Sequence, residues 1–227
     1  MINSDDLKVL DVLNSISKKF SYEAICKLSE EQKVNYKILL NNLCRSNSAD
    51  VSNKEKGDAL EDVAKFLLET SGGIFNVERN IRTTTNELDL FIELNEKGRV
   101  LLEFGILPSH YHSFICECKN HNKVASVTYV GKFCSLMQTC QIKLGLLFTY
   151  KGISGTGWAN ASGLVKKFYL SKEDVSKRFC VVDLTWSDYI KIRDGENLLR
   201  IIDSKIKSMQ LDTDYTQHLS KHELESK

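Results

Sequence analysis

Asp89 and the string Glu117-Cys118-Lys119 are the residues whose types and spacing carry the sharpest chemistry in this chain. In an extended strand residues two apart share a face. Glu117 and Lys119 therefore project together, while Cys116 and Cys118 turn the other way and can enter a core. A neighbouring strand bearing Asp89 would bring a second carboxylate onto the same face, where two like charges repel unless a hard, oxygen-preferring divalent cation sits between them. Mg²⁺ is the natural ion, with Mn²⁺ as a substitute. Such a cation polarises a phosphodiester and lowers the pKa of bound water, and an ammonium such as that of Lys119 can orient the nucleophile or offset charge developing on the phosphorane. The same three residues also read as a salt-bridge network at a sheet edge.

Other constellations are weaker. His110, His112, Cys116, Cys118 and His121 crowd into 12 residues and are of zinc-ligating types. The two cysteines lie within a strand rather than on a CxxC knuckle, and no second cysteine pair follows at finger spacing; small buried hydrophobes are the preferred reading. Gly152-Ile153-Ser154-Gly155-Thr156-Gly157 is glycine-rich but lacks the GxxxxGK[ST] order and reads as a turn.

The elements that must position Asp89, Glu117 and Lys119 follow from hydrophobic period. Residues 1–50 read as a helical lobe, with an apolar face over Leu7–Ile16, further helices over Tyr22–Leu28 and Val34–Leu43, and a cap at Ser29-Glu30-Glu31. Cys44–Lys56 is polar and reads as a linker into a second unit over residues 54–211, followed by a polar tail over 212–227. Asp58–Glu69 has helical spacing ended by Ser71-Gly72-Gly73. Strands are expected at Ile74–Arg82, Glu87–Leu94, Val100–Phe104, Phe114–Cys118, Leu144–Tyr150 and Arg178–Leu184. Helices are expected at Val127–Thr139, Leu164–Leu170, Ser187–Ile192 and Glu196–Met209. The order predicts an α/β fold, a sheet flanked by helices.

A helix with Glu61, a strand with Asp89, a strand with Glu117-x-Lys119, a helix and then an apolar strand resembles the PD-(D/E)xK restriction-endonuclease-like superfamily, in particular the Mrr-like catalytic domains of type IV restriction enzymes. Lys56-Gly57-Asp58-Ala59-Leu60-Glu61 is similar to that family's Lys-Gly-x-x-x-Glu helix, Glu87-Leu88-Asp89 to its second-strand acid motif, and Asn120 is typical of the neighbourhood. The resemblance spans roughly Lys54–Leu184. It implies a restriction-endonuclease-like central mixed sheet, Asp89 and Glu117 as Mg²⁺ ligands, Glu61 assisting through water or a second metal, and Lys119 positioning the attacking water. One departure is the separation of Asp89 from Glu117 by 27 residues, an insertion including Val100–Ser113 that leaves Glu87 or Glu103 open as a replacement for one of the carboxylates. Two-strand cleavage by paired sites makes a homodimer plausible, and a separate partner would supply targeting or a motor.

Charge points toward nucleic acid. From Cys118 to Lys172 there are eight lysines and no Asp or Glu over 55 residues, in a chain whose net charge is only +1. A field of that sign attracts a polyanion. Lys132 and Gln138 on the helix after the lysine strand are candidates for phosphate or the active site, Tyr129 with Lys132 for stacking and phosphate contact, and Trp158 with Lys151, Lys166 and Lys167 for the same groove. The 227 residues, 42% hydrophobic and 27% charged with a single proline, exclude disordered and collagenous classes. No apolar run is long enough to cross a bilayer. Asp5 and Asp6 read against a secretory leader, and the seven scattered cysteines read as mostly reduced and buried, so a cytoplasmic protein is expected. The leading expectation is an Mg²⁺-dependent endodeoxyribonuclease of restriction or defence. The alternatives are a catalytically silent nucleic-acid-binding module and an RNA or repair nuclease of the same fold.

Overall fold

A computed structural model of the chain describes residues 21–47, 50–82, 87–120, 123–155, 160–174, 177–211 and 213. The expected apolar face over Leu7–Ile16 and the polar tail lie outside them, apart from residue 213. Three helices come first: α1 (Tyr22–Ile25), α2 (Glu30–Ser46) and α3 (Asn53–Thr70). Ser29 and Ser52 start α2 and α3 in the same way. Each hydroxyl accepts the backbone N–H three residues on, while Gln32 or Glu55 reaches back to the cap's own N–H. These capping boxes satisfy amides that have no partner inside the helix. The expected linker Cys44–Lys56 is consequently helical at both ends, and the connection is confined to the residues between Ser46 and Asn53.

Five strands form one sheet in the order β1-β2-β3-β4-β5: β1 (Phe75–Arg82), β2 (Glu87–Leu94), β3 (Ser113–Lys119), β4 (Leu144–Thr149) and β5 (Cys180–Leu184). The first three are antiparallel neighbours, and β3, β4 and β5 run parallel. Parallel neighbours need crossovers. They are supplied by α5 (Val127–Cys140) and α6 (Ala161–Leu170), and α7 (Trp186–Arg193) and α8 (Leu198–Leu211) complete the α/β architecture.

The strand expected over Val100–Phe104 is instead the helix α4 (Glu96–Glu103). Asn95 caps it through a bond from the Gly98 N–H of 3.0 Å, and Leu101 turns inward while Val100 and Phe104 stay exposed. A run of apolar residues too short to show a period was decided by its cap. The insertion therefore adds a helix and a 3₁₀ turn (Ser109–Tyr111), not an edge strand. Tyr111 anchors that turn by donating to Asp203 Oδ1 on α8 at 2.8 Å.

Helices cover both faces of the sheet. On one, Leu90, Ile92, Phe114 and Phe148 pack with α2, α3 and α8; on the other, Ile115, Leu147 and Val181 meet Val130, Phe133 and Met137 of α5 and Val165 of α6. Interior strand β4 is buried at every position because both its faces are covered. Helix α2 shares the first core through Leu40, Leu43 and Tyr36; the Tyr36 ring stacks on Phe66 at 5.9 Å and its hydroxyl donates to the Tyr189 carbonyl at 3.0 Å. Gly145 lets α5 lie close on β4, since a Cβ there would stand 2.5 Å from Met137 Sδ and 2.7 Å from the Phe133 ring. All seven cysteines are free thiols, five of them buried. No helix among the described residues is long and apolar enough to cross a membrane.

Candidate active site

Strands β2 and β3 pair from Glu93–Ser113 to Leu90–Cys116, and Asp89 and Glu117 are the next residue of each strand past that last pair. Past that last pair the Asp89 side chain takes over from the ladder: its Oδ2 accepts the Cys118 N–H at 2.8 Å. On the other edge of β2 the pairing with β1 skips Asn80–Asp89, and Asn80 holds φ +52°, a left-handed conformation that asparagine tolerates. Strand β2 is thus loosened on both sides at its acid. Cys116 and Cys118 turn into the core as expected, and Glu117 and Lys119 project on the α5 side.

Glu117 is the hub of the site. Its Oε1 accepts from the Tyr129 hydroxyl at 2.5 Å and lies 3.3 Å from the Lys119 ammonium, which itself sits 4.9 Å from the centre of the Tyr129 ring. Tyr129 occupies the first turn of α5, where Ser126 Oγ accepts its backbone N–H. That turn is fixed from outside the helix. The Ala125 N–H donates to Gly152 O, the Ser154 N–H donates to Ala125 O, and the loop carrying Gly152 is held by Ile153 N–H and Thr149 Oγ1 donating to the half-buried Asp183 carboxylate. Lys119 pairs in register with Thr149, so the ends of β3 and β4 and the start of α5 form one edge.

Glu61 reaches this edge from α3. Its Oε2 accepts from Arg79 of β1 at 3.1 Å, and Arg79 also lies 3.5 Å from Asp62. Asn120 ties the end of β3 to α3 by donating to the Lys56 carbonyl at 2.8 Å; its Oδ1 is buried with no hydrogen-bond partner among the described atoms. Burial, and then the Asp89 charge, raises the Glu117 pKa above its ordinary value, against the opposing pull of Tyr129 and Lys119. Burial and Asp89 do the same to Glu61, opposed by Arg79. Both acids feel Asp89, so the three carboxylates form one electrostatic group. Burial, then the Glu117 charge, pushes the Tyr129 phenol far up, which keeps it a proton donor.

The residues expected to meet nucleic acid are spread out. Lys151 follows β4 at the same edge as Lys119, and Lys132 is exposed on α5 one turn after Tyr129. Lys166 and Lys167 lie on α6, in the same helical layer. Gln138 is not brought to the acids. It sits in the last turn of α5, beyond the far end of β4, beside a cavity of about 300 Å³ lined by Lys143, Lys172, Lys177 and Phe179. Trp158 and His121 lie outside the described residues. Tyr129, expected with Lys132 at a nucleic-acid groove, contacts Glu117 through its hydroxyl, and Arg79 was not anticipated; nothing in spacing marks a β1 arginine as the partner of an α3 acid.

Among the described residues, no three His, Cys, Asp or Glu side chains stand together as a ready metal-ligating group. Mg²⁺ is held by one or two carboxylates with several waters, a donor set that Asp89 and Glu117 would match in number and in oxygen chemistry. Glu61 is occupied by Arg79. No protein-family model matches the chain, and no curated protein matches it.

Proposed function

We propose that this protein is a metal-dependent endonuclease that hydrolyses DNA phosphodiester bonds, with a restriction-endonuclease-like sheet. The observation that carries the reading is the electrostatic coupling of Asp89 and Glu117 just past the last pair of the adjacent strands β2 and β3, with Lys119 beside Glu117. Two neighbouring carboxylates destabilise the end of a sheet, and a fold retains that cost where a cation or proton uses it. Asp89 and Glu117 would hold Mg²⁺, or Mn²⁺ in its place, which supplies Lewis acidity toward the phosphate and a more acidic bound water.

The chain's own groups do the rest. Hydrolysis forms a bond from water oxygen to phosphorus and breaks one P–O ester bond, and negative charge gathers on the phosphoryl oxygens on the way. The Lys119 ammonium stands where it can orient that water or offset that charge. Glu61, on the same electrostatic group, would act through water once released from Arg79. Lys132, Lys151, Lys166 and Lys167 belong to the acid-free segment from Cys118 to Lys172 and supply the field that holds a polyanion. Seven free cysteines suit a reducing compartment, and the reading places the protein in the cytoplasm with DNA as partner. Restriction or defence, homodimerisation and a separate targeting or motor subunit belong to the same reading through the sequence resemblance.

The Glu61–Arg79 ion pair favours one alternative, a nucleic-acid-binding module of the same fold without catalysis. Incubating the protein with linear, circular and single-stranded DNA and with RNA, in Mg²⁺, Mn²⁺ or EDTA, separates the two. The nuclease reading expects metal-dependent cutting of DNA, reduced by roughly 10²-fold or more in Asp89→Asn and Lys119→Ala. Binding without cutting in either metal supports the module, and cutting confined to RNA reassigns the substrate.

A further inference from the structure

Among the described aromatic residues Tyr129 stands apart, because its hydroxyl and its ring serve two different members of the candidate site. The hydroxyl donates to Glu117 Oε1, and the ring face supports the Lys119 ammonium, which approaches the same oxygen. A carboxylate oxygen offers two in-plane lone pairs. Phenol and ammonium between them use both on Oε1, and neither contact uses Oε2.

We propose that Tyr129 is a positioning residue for the cation site: it fixes the Glu117 carboxylate by one oxygen so that the other remains for a divalent cation shared with Asp89. The proposal rests on the nuclease reading above and goes beyond it, because that reading needs only Asp89, Glu117 and Lys119. Hydrogen bonds to the outer oxygen of a ligating carboxylate hold its rotamer and so govern metal affinity. The placement of the phenol is itself over-determined. Ser126 caps the turn, the Ala125 backbone bonds on both sides to the loop after β4, and Gly145 lets α5 seat closely on that strand.

The test is Mn²⁺ titration of the metal-free full chain, reading free Mn²⁺ by electron paramagnetic resonance, for wild type, Tyr129→Phe and Glu117→Gln. Tyr129→Phe keeps the ring and its contact with Lys119 and removes only the donor. Its Mn²⁺ Kd is expected to rise by about 10- to 100-fold, with the thermal midpoint close to wild type and cleavage recovering as Mn²⁺ is raised. A merely structural tyrosine would shift the midpoint and leave Kd alone. An unchanged or tighter Kd in Tyr129→Phe, with binding still lost in Glu117→Gln, overturns the role of Tyr129 and leaves the metal site standing. Absence of Mn²⁺ binding by wild type removes the metal site itself, and the role of Tyr129 with it.

Discussion

Glu117 is a carboxylate held in its charged form at a cost. Burial and the neighbouring Asp89 both favour its proton, so its pKa in the folded chain stands above the ordinary 4.5. The folded state then binds that proton more tightly than the unfolded state, and stability falls as pH rises from the unfolded pKa through the folded one. Above the folded pKa the metal-free protein carries the full penalty. Glu117→Gln keeps an oxygen for the Tyr129 hydroxyl while removing the charge coupled to Asp89. It is expected to raise the metal-free stability at pH 7 by about 1 kcal/mol, roughly 2–4 °C in thermal midpoint for a chain of this size, with the difference closing below the unfolded pKa. Thermal melts across pH check this. If Glu117 were instead one half of a stabilising ion pair with Lys119, the variant would melt lower at pH 7. The identities of these residues were legible in the sequence because a strand's period of two puts Glu117 and Lys119 on one face. Their partners were not. The Tyr129 hydroxyl and Arg79 meet the acids through tertiary packing, which no local spacing encodes.

Elements were legible where the period ran long and ambiguous where it was short. Strand β2 sends Leu90 and Ile92 to one core and Phe91 to the other, and α5 repeats Val130, Phe133, Cys134 and Met137 on its buried side. The α5 pattern matches the structure, while the expected β2 alternation breaks at Asp89, so that Leu88 packs on the face opposite Leu90 and Ile92. The stretch around Val100 has too few turns to show a period, and the Asn95 cap settled it as helix. The polar segment after Cys44 misled for the opposite reason, since serine caps and surface polarity resemble a linker when the buried helix faces lie on either side of them. Helix α5 is the element on which the site depends, because its first turn carries Tyr129 and its body sits on β4 over Gly145. Gly145→Val pushes a branched side chain toward Met137 Sδ and the Phe133 ring. A loss of about 1–3 kcal/mol from overpacking is expected, read as a lower urea midpoint. A midpoint equal to wild type would show that α5 can lift from β4 freely.

Across the whole molecule, the uneven charge of the sequence becomes a difference between layers. The acid-free segment from Cys118 to Lys172 supplies the end of β3, all of α5, β4 and α6, and the joining loops, so the layer over one face of the sheet carries lysines and no acid within that span. The opposite layer includes the acids of α2 and α3. Glu61 comes from that acidic layer, whereas Glu117 and Lys119 face α5, and the two sides meet at the edge where Asp89 leaves its ladder. A divalent cation at that edge would join carboxylates from two strands beneath a basic layer, which is the arrangement phosphodiester hydrolysis asks for. Its presence can be seen directly. Crystals of the wild-type chain soaked in Mn²⁺ and recorded at the manganese edge are predicted to show an anomalous peak bound by carboxylate oxygens of both Asp89 and Glu117, at roughly 2.0–2.2 Å for a hard cation of this size. A saturated crystal with no peak there, or with its peaks only at other carboxylates, would contradict the account.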